Sequence, residues 1–127
     1  MTVSFVECVL VALGGSAGAV ARFLVGLGLA RVAGPQLPWG TLAVNLSGTF
    51  AAGLLVGMGD GRGLSSNARL VLVTGFLGGF TTFSALSVET LRLAEQQGTL
   101  VAGANIAVTV LAGLALAAAG LALGRSL

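Results

Sequence analysis

The chain lacks histidine, tyrosine and lysine, and Cys8 is the only cysteine among its 127 residues. A single cysteine cannot form a disulfide within the chain, and no zinc or haem site can be assembled from these residues. No nucleophile–base pair or metal-ligating cluster can be recognised either, so the groups that most enzymes require are missing. The sequence therefore predicts a protein that is not an enzyme.

Charged residues are also scarce: they make up 8% of the chain, whereas hydrophobic residues make up 56%. A water-soluble fold needs more charges to cover its surface, and long apolar runs of this kind are typical of multi-pass membrane proteins in contact with lipid. The basic residues are scattered arginines, so the high isoelectric point does not indicate a nucleic-acid-binding patch. The length predicts one all-α transmembrane domain over residues 1–127, with about four spans of roughly 20 residues.

Turn residues divide the apolar sequence into four predicted helices, at about residues 8–30, 40–58, 70–93 and 100–123. An even number of spans puts both termini on one side of the membrane. That side carries Arg62, Arg69 and Arg125, and the other side carries Arg31 and Arg92. Three arginines against two do not fix an orientation under the positive-inside rule. The chain either inserts both ways and pairs head to tail, as an antiparallel dual-topology dimer, or inserts one way through a few local charges.

The middle of the third span reads GFLGGFTTFSALSVE over residues 75–89, and it combines an adjacent glycine pair with threonines and serines. A backbone group without a hydrogen-bond partner costs several kcal/mol in hydrocarbon. Glycines followed by hydroxyls at mid-depth therefore predict a third helix that is broken mid-membrane, with its freed groups turned toward protein, water or an ion. This pattern indicates a permeation or binding site.

The first span has Gly14, Gly18, Arg22 and Gly26 at every fourth position, so Arg22 shares one helical face with the three glycines. Small residues at this spacing let helices approach closely, so we expect this face to contact protein. Arg22 then points inward or toward a water-filled vestibule, because a lipid-facing arginine costs about 2.5–3.5 kcal/mol at a helix centre. The alternative is a structural anchor whose side chain reaches the membrane interface.

Polar residues also form stripes on the second and fourth spans. Asn45 lies one helical turn from Thr41 in the second span, and Thr109 lies one turn from Asn105 in the fourth. An amide at mid-membrane is costly unless it is bonded, so Asn45 either caps freed backbone or donates to a passing anion. The alternative for both stripes is hydrogen bonding between helices.

Acidic residues are absent from the middle of every predicted span, because Glu7, Asp60, Glu89 and Glu95 fall at span ends or in loops. Proton-coupled exporters normally need a buried titratable carboxylate or histidine, so the sequence favours passive conduction. Hydroxyl and amide donors, the positive edges of phenylalanine rings and an inward arginine favour an anion over a cation.

Three segments resemble the bacterial fluoride channels known as Fluc or CrcB: GGSAGAVARF at 14–23, WGTLAVNLSGTFAAG at 39–53 and GFLGGFTTFS at 75–84. The resemblance runs over nearly the whole chain, and the last two segments are long and specific. It implies a passive fluoride-selective channel that exports fluoride across the bacterial inner membrane, built as an antiparallel dual-topology homodimer with two pores. It also implies a structural sodium ion at the dimer centre.

The resemblance assigns roles residue by residue. The backbone carbonyls of Gly78 and Thr81 would hold the sodium ion. Asn45 matches a pore asparagine, and Phe83 matches the first phenylalanine of an aromatic box. The full fluoride pore implied by the resemblance comprises Arg22, Thr41, Asn45, Phe83, Ser84, Ser87, Glu89 and Thr109.

One departure from the family pattern concerns the aromatic box. The family commonly reads TTFSTFS, whereas this chain reads TTFSALS, so Ala85 and Leu86 replace a threonine and the second box phenylalanine. Leu86 has no aromatic edge to offer an anion. Leu86 is then a tolerated variant with altered conduction, or Phe80 substitutes for the missing ring, or the chain forms a heterodimer whose partner supplies it.

Two other functions stay open on the residues alone. A small dual-topology multidrug exporter also has four spans, but it needs a first-helix carboxylate at mid-depth, where this chain has Arg22. A non-conducting membrane assembly protein would account for the small-residue helix faces, but not for the hydroxyl-rich third span.

Overall fold

The computed structural model describes residues 3–61 and 63–127, and all regular secondary structure in these residues is helical. Four spans within them are long and apolar enough to cross a membrane: Phe5–Ala33, Trp39–Gly59, Ser66–Gln97 and Thr99–Ser126. Each span extends beyond the predicted limits, by between one and four residues at each end. The structure confirms an all-helical chain with four candidate membrane spans.

The third span is composite, whereas the other three spans are single helices. Helix α1 (Phe5–Ala33), helix α2 (Trp39–Gly61) and helix α6 (Thr99–Ser126) are continuous. Between α2 and α6 the structure has α3 (Ser66–Arg69), a π-helical segment (Leu70–Leu77), α4 (Gly78–Phe80) and α5 (Phe83–Gln97). We refer to residues 66–80 as the upstream half of the third span, and α5 forms its downstream half.

Helix starts and stops follow local capping chemistry. The Ser4 hydroxyl accepts from the Val6 N–H at 3.3 Å, and the Glu7 carboxylate accepts from the Ser4 N–H at 2.8 Å, which starts α1. Helix α1 ends before Gly34 and helix α5 ends before Gly98, whose φ angles are 82° and 95°. Glycine adopts these angles without strain, so both turns are set by the local sequence.

Close backbone contacts hold α1 against the upstream half of the third span. A Cβ atom at Gly18 would overlap the carbonyl oxygen of Phe76, and a Cβ atom at Gly75 would lie 2.8 Å from the carbonyl oxygen of Val11. A larger side chain at either glycine would force the two helices apart. The glycine face of the first span therefore contacts protein, as predicted.

A second glycine seam joins α2 to α6. A Cβ atom at Gly53 would overlap the carbonyl oxygen of Ala117, and one at Gly120 would overlap that of Phe50. Helix α2 also contacts α1, and α5 contacts α6, so α2 lies between the first and fourth helices. This central position brings the middle of α2 next to the middle of the third span.

The glycine pair of the third span lies inside a helix. Gly78 and Gly79 belong to α4, and the backbone first becomes extended at Thr81 and Thr82. The prediction that the glycine pair opens the helix is therefore wrong, because both glycines are helical. Gly79 is required for a different reason, because a Cβ atom there would overlap the carbonyl oxygen of Gly15 on α1.

The substitution Gly18→Ala should destabilise the protein, because the added methyl group overlaps the Phe76 carbonyl and pushes α1 away from the third span. Overpacking of this kind costs about 1–3 kcal/mol, so we expect a lower thermal unfolding midpoint in detergent micelles. The matched control is Gly28→Ala, since Gly28 is exposed on the same helix and a Cβ atom there meets no described atom within 4 Å. Equal midpoints for the two variants would contradict the close packing of α1.

Candidate functional site

Thr81 and Thr82 have extended backbone between α4 and α5, and we call these two residues the interruption. Thr81 has φ −84° and ψ 156°, and Thr82 has φ −151° and ψ 122°. The Thr82 hydroxyl accepts from the Ala85 N–H at 3.2 Å and caps the start of α5. Backbone groups that a continuous helix would pair here therefore need other partners.

Asn45 on α2 binds both backbone groups of Thr82. Its Oδ1 accepts from the Thr82 N–H at 2.8 Å, and its Nδ2 donates to the Thr82 carbonyl at 3.0 Å. Asn45 is 8% exposed, so these bonds are shielded from competing water. An amide nitrogen carries two N–H groups, and this pairing uses one of them. Asn45 thus caps the backbone of Thr82 and keeps its second amide N–H for another acceptor.

Arg22 on α1 binds the end of α4. The residue is half-buried, and its Nε donates to the Gly79 carbonyl at 3.0 Å. Carbonyls in the last turn of a helix lack intrahelical partners, and a positive charge beside them is favourable. Arg22 therefore points toward the third span of the same chain, on the face that the glycines share.

Gly78 and Thr81 lie on either side of the carbonyl that Arg22 binds. The Leu77 carbonyl accepts from both the N–H and the hydroxyl of Thr81, at 3.0 and 2.9 Å. In a continuous helix the Gly78 carbonyl would accept from the Thr82 N–H, but that N–H donates to Asn45. Gly78 is also exposed on the surface of the chain. Its carbonyl is thus deprived of its usual helical donor.

The start of α5 presents an exposed aromatic ring and two hydroxyl groups. Phe83 is 81% exposed, and the exposed Ser84 has its Oγ 3.2 Å from the Thr82 Oγ1. One turn further along, the Ser87 hydroxyl donates to the Phe83 carbonyl at 2.9 Å. The structure therefore brings Phe83, Ser84 and Ser87 together directly after the interruption.

Thr41 lies between two neighbouring cavities. The first cavity, of about 470 Å³, is lined by Thr41 and Glu89, and the second, of about 270 Å³, extends to Arg22. Both are also lined by Gly26 and Gly40. The Oε2 atom of Glu89 is buried and has no hydrogen-bond partner in the described part of the chain. The predicted pore residues Arg22, Thr41 and Glu89 thus lie along two adjoining cavities.

Thr109 on α6 lies apart from these groups. It is buried, and its hydroxyl donates to the Asn105 carbonyl of its own helix at 2.7 Å. The Asn105 Nδ2 in turn donates to the Thr90 hydroxyl on α5 at 3.0 Å. The polar stripe of the fourth span therefore joins α6 to α5, and the structure does not bring Thr109 to the two cavities.

Sequence reasoning missed the parts that Gly79 and Thr82 play in the site. The role of Thr82 could have been predicted, because threonine is a preferred N-cap residue immediately before an apolar helix. The contact between Gly79 and Arg22 joins residues 57 positions apart, and no local pattern indicates it.

Comparison with known proteins places the chain in a family. Residues 9–121 match the family described as CrcB-like protein, Camphor Resistance (CrcB). The chain belongs to the CrcB family. It is 47% identical over 123 residues to the Fluoride-specific ion channel FluC of Agrobacterium fabrum (strain C58 / ATCC 33970), covering 96% of this chain and 98% of that relative.

Two further CrcB relatives carry the same name. The FluC protein of Rhizobium etli (strain ATCC 51251) is 44% identical, over 96% of this chain and 98% of the relative. That of Xanthomonas euvesicatoria pv. vesicatoria (strain 85-10) is 46% identical, over 88% of this chain and 85% of the relative. Together with the four apolar spans, these matches confirm the family resemblance and identify a multi-pass bacterial membrane protein that is not an enzyme.

In this CrcB chain Leu86 is buried within the protomer, with 6% of its surface exposed. Phe83 lies three residues earlier on the same helix and faces outward. Phe80 already has an aromatic partner, since its ring stacks on Phe76 with centroids 5.6 Å apart and planes 17° apart. Leu86 therefore contributes to packing inside the chain, at the position to which the resemblance assigned a second box phenylalanine.

The substitution Asn45→Ala should destabilise the interruption, because it leaves the N–H and the carbonyl of Thr82 without partners. Each unsatisfied buried group costs about 1–3 kcal/mol, so we expect a clear fall in the thermal unfolding midpoint. Ser47→Ala is the matched control on the same helix, since the exposed Ser47 hydroxyl donates only to the Ala43 carbonyl one turn earlier. An Asn45→Ala protein as stable as Ser47→Ala would show that the amide does not hold Thr82.

Proposed function

We propose that this CrcB chain is a passive, fluoride-selective anion channel. The observation that carries the proposal is its 47% identity, over 96% of the chain, to a relative named Fluoride-specific ion channel FluC. The arrangement at the interruption supports it, because amide, hydroxyl and guanidinium donors converge on the junction of α4 and α5. Donors of this kind suit an anion better than a cation.

Fluoride is strongly hydrated, so a narrow path has to replace its water shell with hydrogen-bond donors. The unused N–H of Asn45 and the hydroxyl of Ser84 would supply donors at the start of α5. The Ser87 hydroxyl would join them after rotating away from the Phe83 carbonyl, to which it now donates. The exposed ring of Phe83 would present its positive edge to the anion. An aromatic edge attracts an anion less strongly than a formal charge, which lets the anion leave again. The Thr41 hydroxyl would extend this path into the adjoining cavities.

Arg22, Glu89 and Thr109 would complete the pore. Arg22 adds a positive charge to the cavity that reaches Thr82. Glu89 lines the neighbouring cavity at the other end of the path. The Thr109 hydroxyl is bonded within α6, so it would contact a permeating ion only after rotating away from Asn105.

The proposed direction of transport is export. Undissociated hydrogen fluoride crosses membranes and ionises in the more alkaline cytoplasm, which traps the anion there. A membrane potential that is negative inside then drives fluoride outward, by about 2.3 kcal/mol per charge for each 100 mV. No acidic residue at mid-span is available for proton coupling, which supports a passive channel.

We also propose an antiparallel, dual-topology homodimer. Phe83 is 81% exposed within the protomer, and a pore-lining ring needs protein on its other side, which a second copy would supply. The arginine count on the two membrane sides supports insertion in both orientations. A heterodimer is the alternative, in which a different subunit supplies the aromatic ring that Leu86 lacks.

A structural sodium ion at the dimer centre is the last part of the proposal. Among the residues that the structure describes, no group of three or more acidic, cysteine or histidine side chains could hold a metal ion. A cation would instead bind carbonyl oxygens, which hard cations prefer. The carbonyls of Gly78 and Thr81 fit this requirement, and two protomers would double the number of ligands. A bound ion would add positive potential near the anion path.

The direct test is fluoride efflux from liposomes that contain the purified protein, measured with a fluoride electrode under an imposed potential. We expect fluoride to pass and chloride to be retained, and Ser84→Ala/Ser87→Ala to lower fluoride efflux by about tenfold or more, because two hydrogen bonds of about 1 kcal/mol each are lost. Ser16→Ala is the control, since the Ser16 hydroxyl on α1 donates to the Ala12 carbonyl of its own helix. Equal passage of chloride would reject selectivity, and the absence of any flux would favour the non-conducting assembly protein.

The sodium proposal predicts that replacing sodium by choline lowers the thermal midpoint of the purified dimer, because a ligand that binds only the folded state stabilises it by mass action. At a concentration 100 times the dissociation constant this amounts to about 2.7 kcal/mol. Sodium should restore the midpoint in a saturable manner. The proposed site would be contradicted if sodium changed neither the thermal unfolding midpoint nor the fluoride flux.

A further inference from the structure

The first of the two cavities contains a pair of opposite charges. It lies between the loop of residues 34–38, the first turn of α2 and the last turns of α5. Among the described residues that line it, Arg92 carries the only positive charge and Glu89 the only negative charge. The other polar side chains in the lining are those of Gln36, Thr41 and Gln96.

The walls of this cavity are held in place by specific contacts. The Gln97 Nε2 at the end of α5 donates to the Gln36 carbonyl in the loop at 2.6 Å. Glycines with positive φ, Gly34 and Gly98, form the two adjacent turns. The loop and the end of α5 are therefore tied together, and Arg92 lies on α5 about one and a half helical turns before Gln97.

The cavity leads toward the interruption. It shares Thr41 with the second cavity, whose lining includes Arg22 and Thr82. Residues that line both cavities therefore connect the surroundings of Arg92 and Glu89 with those of Arg22 and Thr82.

Glu89 is an obstacle to an anion on this route. Its Oε2 atom is buried and has no hydrogen-bond partner in the described part of the chain, so Arg92 does not bind that oxygen. A carboxylate in a partly enclosed space repels an anion more strongly than one in open water. Arg92 is exposed and lies one helical turn away, at the same cavity, so its charge opposes that repulsion.

We propose that Arg92 attracts the permeating anion at the mouth of this cavity and offsets the charge of Glu89. Arg92 then determines how readily fluoride enters at low concentration, and it does not determine the maximal rate through the interruption. This inference deepens the proposed function and rests on it. The physical basis is electrostatic focusing, in which the charge at the mouth of a cleft raises the local concentration of an ion of opposite sign.

The test compares fluoride efflux of the wild type and Arg92→Gln over a range of fluoride concentrations in liposomes. At low ionic strength we expect Arg92→Gln to be about threefold slower below saturation, the order of magnitude for one unit charge acting across a few ångströms of water. At saturating fluoride the two proteins should conduct equally. Raising ionic strength from 0.01 to 0.15 M with an impermeant gluconate salt, at constant sodium, should shrink the difference, because the Debye length falls from about 30 to about 8 Å.

Three variants serve as matched comparisons. Arg31→Gln removes the same charge from the same side of the membrane, but Arg31 does not line the cavity, so it should lower the low-concentration flux less than Arg92→Gln does. Arg92→Lys keeps the charge and should keep most of the low-concentration flux. Gln96→Arg adds a positive charge to the same cavity and should raise low-concentration flux, which provides a test even if Arg92→Gln fails to fold.

The outcomes separate this inference from the proposed function. A wild type that conducts no fluoride overturns both. A conducting wild type with Arg92→Gln indistinguishable from Arg31→Gln at low ionic strength overturns only the inference. A loss in Arg92→Gln that is equal at low and saturating fluoride, or a Gln96→Arg variant without increased flux, also overturns it. A salt-sensitive loss confined to low fluoride supports it.

Discussion

The pair of hydrogen bonds between the Asn45 amide and the Thr82 backbone is the contact on which the rest of the site depends. In apolar surroundings an N–H and a carbonyl without partners are costly, and a helix cannot be interrupted unless both are satisfied. One buried amide satisfies both, so the chain leaves helical geometry for two residues and begins α5 with Thr82 as its N-cap. The exposed Phe83 and Ser84 take their positions from that new start.

The glycines that let the helices approach closely also hold the helices that carry this contact in position. Gly18 and Gly75 allow the backbone of α1 to approach the third span, and this approach lets Arg22 reach the Gly79 carbonyl. The end of α4 is thus bound from α1, while the start of α5 is bound from α2 through Asn45. Closely packed helices resist small displacements. The end of α4 and the start of α5 are therefore held at a fixed distance and orientation.

Neutral donors and formal charges occupy different parts of the proposed pathway. Amide and hydroxyl groups surround the start of α5, whereas Glu89 and Arg92 line the first cavity. Arg22 lines the second cavity, which adjoins both regions. Neutral donors hold an anion weakly enough for it to move on, and charges at a mouth act mainly on entry. This distribution suits a conducting pathway better than a site that retains its ligand. A second protomer would then complete the wall opposite the exposed ring of Phe83.

The sequence by itself determined the four apolar spans, the inward glycine face of the first span and the family, because apolar runs, helical periodicity and long motifs are local properties of the chain. It left two interpretations of Asn45 open and put the opening of the third span at the glycine pair. Only the tertiary structure decided that the extended residues are Thr81 and Thr82, that Arg22 binds Gly79, and that the loop and α5 enclose a cavity beside Arg92. These features depend on contacts between residues far apart in the chain, whose distances are set by how the helices pack, and no local pattern encodes that packing.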